Sequence, residues 1–117
     1  MEAPKGDWTW EDLKEKAKVI YEKTGVKGFS FSMKPDPYDY EMYLWSNGTA
    51  YCGKDGKMEG YVDSDKALET YKMFQDMEKD GYAVATEKSG GDEFQAGQTG
   101  MFVYGAWAVK KYTEEGV

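Results

Sequence analysis

Two short stretches hold the residue types best suited to contact a ligand. From Gly97 to Ala108 the chain reads Gly-Gln-Thr-Gly-Met-Phe-Val-Tyr-Gly-Ala-Trp-Ala, an apolar run bounded by glycines and followed by a tryptophan. Met101 to Tyr104 has the length and flanking glycines of a buried strand, and Gly105 permits a sharp turn. Trp107 then stands at the carboxyl end of that strand, where ligands of open α/β sheets bind. An indole face there can stack on a flat apolar partner such as a sugar ring. Packing in the core is an equally good account of the same indole. The second stretch, Met33 to Tyr40, carries Asp36, Tyr38, Asp39 and Tyr40 beside Pro35 and Pro37. Acceptors and amphipathic rings on a stiffened backbone suit sugar hydroxyls and CH faces, although an ordinary solvated connector would read the same way.

Composition removes most other chemistries. The 117 residues suffice for one domain with one core. All 15 cationic residues are Lys, there is no Arg or His, and the net charge is -7. An acidic chain without guanidinium groups is a poor partner for nucleic acid or phosphate. Without His, neither a Ser/His/Asp nor a Cys/His mechanism can be built. Cys52 is the only cysteine, which excludes an internal disulfide and a thiolate zinc cluster. The acids from Asp55 to Asp65 lack the alternating spacing of a calcium loop, so no metal and no cofactor is expected. No segment has the character of a signal peptide, and no apolar run approaches the roughly 20 residues of a membrane span. The 16% of aromatic residues is high for so polar a chain, and many rings must be half exposed.

The elements that would position the two stretches can be read from capping and periodicity. Thr9 and Asp12 form a capping box, with Trp8 and Leu13 at the hydrophobic-staple positions, and predict a helix over 10–23. Its stripe is Trp10, Leu13, Ala17, Ile20 and Tyr21, and Gly25 stops it. Gly28 to Ser32 reads as a strand. A short helix over 40–46 follows the proline loop, with Leu44 and Trp45 turned to the core and Asn47-Gly48 as its stop. Asn47-Gly-Thr49 also matches the glycosylation sequon, a match that chance supplies often. Thr49–Cys52 and Lys57–Val62 flank an Asp55-Gly56 turn and predict a hairpin. Ser64 caps a further helix whose expected buried stripe is Leu68, Tyr71, Phe74 and Met77, ended by Gly81. Residues 82–91 read as an irregular loop, 92–96 as a short helix, and a last helix starts near Ala106 and includes Trp107. No repeat or compositional break divides the chain. Helices alternating with short strands predict an α/β fold, with helices packed on a short mixed sheet.

The order of these motifs resembles one family. A Trp-Glu-Asp-Leu helix is followed by Gly-Phe-Ser-Phe, a Tyr-containing Pro loop and Leu44-Trp-Ser-Asn-Gly48. An Asp-Gly-Lys turn, Asp63-Ser64, and Phe94-Gln-Ala-Gly-Gln-Thr-Gly-Met101 before Gly105-Ala-Trp107 complete the series. Together, from Trp8 to Ala108, they resemble the extracellular solute-binding proteins of ABC sugar importers, the group that includes maltodextrin-binding protein. The family usually has Gly-Pro-Trp where this chain has Gly105-Ala106-Trp107, which removes the proline that fixes the first helical φ.

The resemblance implies part of one lobe, of the carboxy-terminal type, of a type II periplasmic-binding-protein-like fold, with residues 1–117 a single domain and the other lobe and hinge missing. In such receptors a sugar lies between two closing lobes, with an aromatic of the Gly-Pro-Trp segment stacked on its ring. Carried over, this implies Trp107 as platform, Tyr38 as a second ring and Asp36 as a hydroxyl acceptor. Glu41 and Asp92 are placed near the cleft by position alone. It also implies an oligosaccharide ligand bound weakly by half a site, delivery to an ABC permease by the full-length parent, and residence outside the membrane or tethered to it. Self-association through the exposed lobe-lobe face is expected. Two alternatives remain at this level, a carbohydrate-active enzyme using paired carboxylates and a protein-interaction module.

Overall fold

The computed structural model describes residues 6–34 and 36–116, so Pro35 of the expected proline loop lies outside the described residues. Helix α1, Trp10–Thr24, starts at the capping box, in which the Thr9 side chain accepts from the Asp12 amide while the Asp12 carboxylate accepts from the Thr9 amide. Gly25 at φ 74° ends it in the left-handed conformation that glycine adopts without strain. The turn that follows leads into β1, Phe29–Ser32. Its entry is tight: a Cβ on Gly28 would collide with the backbone carbonyl of Ala17, so only glycine lets α1 lie this close to the strand.

Along β1 the side chains alternate. Phe29 and Phe31 stack with Phe74, the Phe31 and Phe74 ring centroids being 4.7 Å apart, while Ser30 and Ser32 occupy the opposite face. Helix α2, Pro37–Ser46, begins three residues before its expected start. Asp36 accepts from the Tyr38 amide as N-cap and Pro37 takes the first turn, where its missing N–H costs nothing. The segment expected to be a proline loop is therefore helical from Pro37 onward.

Helix α3, Asp65–Lys79, is capped by Ser64 as the sequence implies, but its buried stripe is Ala67, Thr70, Phe74 and Met77. Leu68, expected inside, is 57% exposed. The helix is turned by the end of α2: the Asn47 amide donates to the Lys66 carbonyl at 2.9 Å and to the Thr70 hydroxyl at 3.2 Å, an approach that only the small Ala67 and Thr70 accommodate. Trp10 joins the same layer, packing edge-on against Tyr43 and Phe74 and donating its indole N–H to Ser46.

Strand β2, Ala83–Thr86, occupies what the sequence presents as irregular loop, because Ala-Val-Ala-Thr carries too little bulk to stand out. It pairs parallel to β1 in the register Phe29↔Ala83 to Ser32↔Thr86. The expected hairpin over 49–62 does not form. Its turn exists, with the Gly56 amide donating to the Gly53 carbonyl, but Gly60 adopts φ 79° and Met58–Ser64 coils into successive turns instead of a second strand. Met101–Tyr104 is likewise not a full strand. Isolated parallel bridges pair Lys27 with Thr99 and Ser30 with Phe102, so the segment flanks β1 opposite β2, with Val103 and Tyr104 exposed. The paired backbone is therefore parallel rather than mixed. Helices α4, Gly91–Gln95, and α5, Ala108–Glu115, complete the chain, the latter starting two residues later than expected with Trp107 at its N-cap.

A candidate ligand cleft at the carboxyl ends of the strands

Three parallel segments deliver their ends to one side of the sheet. β1 finishes at Ser32, β2 at Thr86 and the flanking segment at Phe102, and Ser32, Ser89 and Val103, at or after those ends, line a common cleft of about 240 Å³. Ser32 and Ser89 contribute hydroxyls to its wall. Ser89 is held there because the Thr86 side chain reaches both the Phe31 carbonyl at 3.2 Å and the Lys88 carbonyl at 2.7 Å, which ties the turn to the sheet.

One wall is a face of α2. Tyr38, Glu41, Met42 and Trp45 all line the cleft at the i, i+3, i+4, i+7 spacing of a single helical stripe. Trp45, expected in the core, is 61% exposed on this wall, whereas its neighbour Leu44 is fully buried. Successive residues of a helix are turned by roughly 100°, so with Tyr43 and Leu44 packed inward Trp45 falls on the cleft side.

The opposite wall is Val103, Tyr104, Gly105 and Trp107. Trp107 is 64% exposed, so the core account of this indole does not hold. Its ring lies 6.3 Å from that of Tyr38 at 26°, nearly parallel, and 5.7 Å from Tyr104 at 63°. Behind it Phe94, Phe102 and Tyr112 pack together, with Phe102 5.7 Å from Tyr104, and this satellite cluster anchors the exposed rings to α4 and α5. Gly105 has no positive φ; it serves by close approach, because the Trp107 indole lies where a Cβ would be.

The acidic candidates divide. Glu41 lines the cleft together with Asp39, whose carboxylate accepts from the Ser32 hydroxyl at 3.3 Å. Asp36 is engaged as the α2 cap and pairs with Lys34 at 3.5 Å, and Asp92 pairs with Lys88 at 2.9 Å; neither lines the cleft. That pairing holds the Asp92 carboxyl below its ordinary range and the Lys88 ammonium above its own. Of the five sequence candidates, Trp107, Tyr38 and Glu41 come together. Asp39, Trp45 and Tyr104 join them without having been singled out. For Trp45 the sequence signal is Asp36-Pro37, an N-cap followed by proline at the first helical position, which makes 38, 41, 42 and 45 one helical face; Asp39 and Tyr104 carry no such signal.

A family model of bacterial extracellular solute-binding proteins matches residues 2–116. The chain belongs to that family. Searches of curated proteins and of solved structures returned no match. Its helices packed on a small parallel sheet agree with part of a solute-binding-protein lobe. Solute-binding proteins act outside the cytoplasm, capture a solute for transport and are not ordinarily enzymes. Among the described residues no helix is long and apolar enough to cross a membrane.

Proposed function

We propose that this solute-binding protein recognises a carbohydrate, that the cleft at the strand ends is its half of the binding site, and that the parent receptor serves an ABC importer. The observation that carries the reading is the pairing of exposed, nearly parallel rings, Tyr38 and Trp107, with the carboxylates Asp39 and Glu41 in one cleft. Sugar rings present CH faces to aromatics and hydroxyls to acceptors, and this wall offers both. Trp107 is the platform and Tyr38 the second ring; Glu41 and Asp39 accept hydroxyls. Asp36 and Asp92 act at one remove, by holding Lys34 and Lys88.

The cleft has walls on two sides but is open above them. At about 240 Å³ it falls below the roughly 300–1,000 Å³ of sites that bury a ligand, and the rings that would grip a sugar stand open to solvent. This supports reading the chain as one lobe whose partner lobe covers the open side. An intact receptor with a Kd of about 1 μM has about 8 kcal/mol of binding free energy. Without the cover of a second lobe and the water exclusion of closure, roughly millimolar binding is the expected remainder. Titration of malto- and xylo-oligosaccharides, followed by tryptophan fluorescence and by the indole N–H resonances of Trp45 and Trp107, tests this. Micromolar affinity of the chain alone would overturn the half-site reading, and the absence of any response to sugars would overturn the carbohydrate reading.

Self-association belongs to the same proposal. Met33, Leu68 and Tyr71 are exposed beside two adjoining grooves that share Phe31, Met33, Tyr71 and Phe74, an apolar face of the kind a second copy can cover.

A further inference from the structure

We infer that the cleft prefers a ligand carrying a protonated amine, an amino sugar in the terms of the carbohydrate reading on which this rests. The charges around the cleft are arranged one way. Its lining includes two carboxylates, Asp39 and Glu41, and no cationic side chain. Among the described residues neither acid has an ion-pair partner, and Asp39 meets only the neutral Ser32 hydroxyl through its side chain. The two lysines that flank the lining in sequence, Lys34 and Lys88, are held by Asp36 and Asp92. Among the described residues no cation is thus directed into the cleft to satisfy its carboxylates. The lining also includes the rings of Tyr38, Tyr104 and Trp107, and the π cloud of an aromatic face, most of all that of Trp, attracts a cation. An ammonium group on a ring stacked at Trp107 would meet aromatic faces and an unpaired carboxylate together, whereas a sugar carboxylate would meet two like charges and no donor of opposite charge.

Three probes of one ring size separate these cases in NMR titrations of the full chain at low ionic strength: glucose, protonated glucosamine and glucuronate, with tetramethylammonium as a sugar-free cation. Glucosamine is expected to bind about three- to tenfold more tightly than glucose, with glucuronate weakest, and the gap to narrow as salt rises. Asp39→Asn is expected to bring glucosamine within about twofold of glucose, whereas Asp76→Asn, which removes the same charge from α3 outside the cleft, preserves the gap. Should Asp39→Asn not fold, Glu41→Gln gives the same readout. Glucosamine no better than glucose, glucuronate equal to either, or loss of the gap with Asp76→Asn overturns the amine preference and leaves the carbohydrate reading standing. A response to tetramethylammonium alone would overturn the carbohydrate reading and keep the cation site, and no response to any probe would overturn both.

Discussion

The indole of Trp107 lies across Gly105, in the space a Cβ at that position would need. A single residue, Ala106, separates a glycine that is not in a left-handed conformation from an aromatic ring folded back onto it. The segment Gly105-Ala106-Trp107 has no proline to fix a helix start, so the ring is located by what lies beneath it and by Tyr38 and Tyr104 beside it.

Gly105→Ala is therefore expected to swing the indole off its seat. Because φ at Gly105 is not positive, alanine fits the backbone and can raise stability by about 0.4–1 kcal/mol through the unfolded chain. Binding and folding should separate: the Trp107 resonance moves and sugar-induced shifts shrink, while the thermal midpoint holds or rises. A lowered midpoint with binding intact would contradict the seating role.

A second contrast tests which aromatic rings are structural. Phe74, 5% exposed, touches Phe29, Phe31, Tyr43 and Trp10. Phe74→Ala should cost about 3–5 kcal/mol, enough to unfold a chain of this size, whereas Trp107→Ala at an exposed site should stay within about 0.5 kcal/mol. Urea melts of the two variants distinguish them, and Trp107→Ala should abolish the sugar-dependent shifts.

The same two residues indicate how far the sequence could be read. Phe74 is legible because it lies on a helical stripe between a capping serine and a stop glycine, signals that act within a few residues. Trp107 was undecided, because a ring at a strand end is core or platform according to what covers it, and covering is a tertiary property. Leu68 and Trp45 differ for a related reason: periodicity gives a stripe's spacing, but its rotation is set by what the helix packs against, which for α3 includes Asn47 against Thr70. β2 was missed since Ala83-Val-Ala-Thr86 is a strand mainly by pairing with β1, an interaction some fifty residues away in sequence.

Alkaline pH should reveal the buried phenol behind the cleft wall. Tyr43 is 4% exposed, and burial first, then the nearby Asp39 carboxylate, raises its hydroxyl well above the ordinary tyrosine range. Above about pH 10 the unfolded chain loses this proton while the native state keeps it, so the unfolded state binds fewer protons and stability falls with rising pH. Below that pH the contribution is constant. Tyr43→Phe should make the decline in urea midpoint between pH 9 and 11 shallower, the rest being carried by Tyr40, Tyr71 and Tyr82, whose hydroxyls burial also raises, and an unchanged slope would contradict the assignment.

The face carrying Met33 and Leu68 makes the last prediction. Both are exposed, at 61% and 57%, and they border grooves lined by Phe31, Tyr71 and Phe74, so apolar surface runs continuously from the core to solvent. Exposed patches of this kind drive association, and charge placed within them opposes it. Leu68→Lys combined with Met33→Lys should convert a concentration-dependent mixture into a monomer by light scattering after size exclusion. Because neither residue lines the strand-end cleft, sugar binding by the monomer should match that of the unaltered chain. Association that persists in the double variant would place the sticky surface elsewhere, with the open ring wall of Tyr38, Tyr104 and Trp107 the next to substitute.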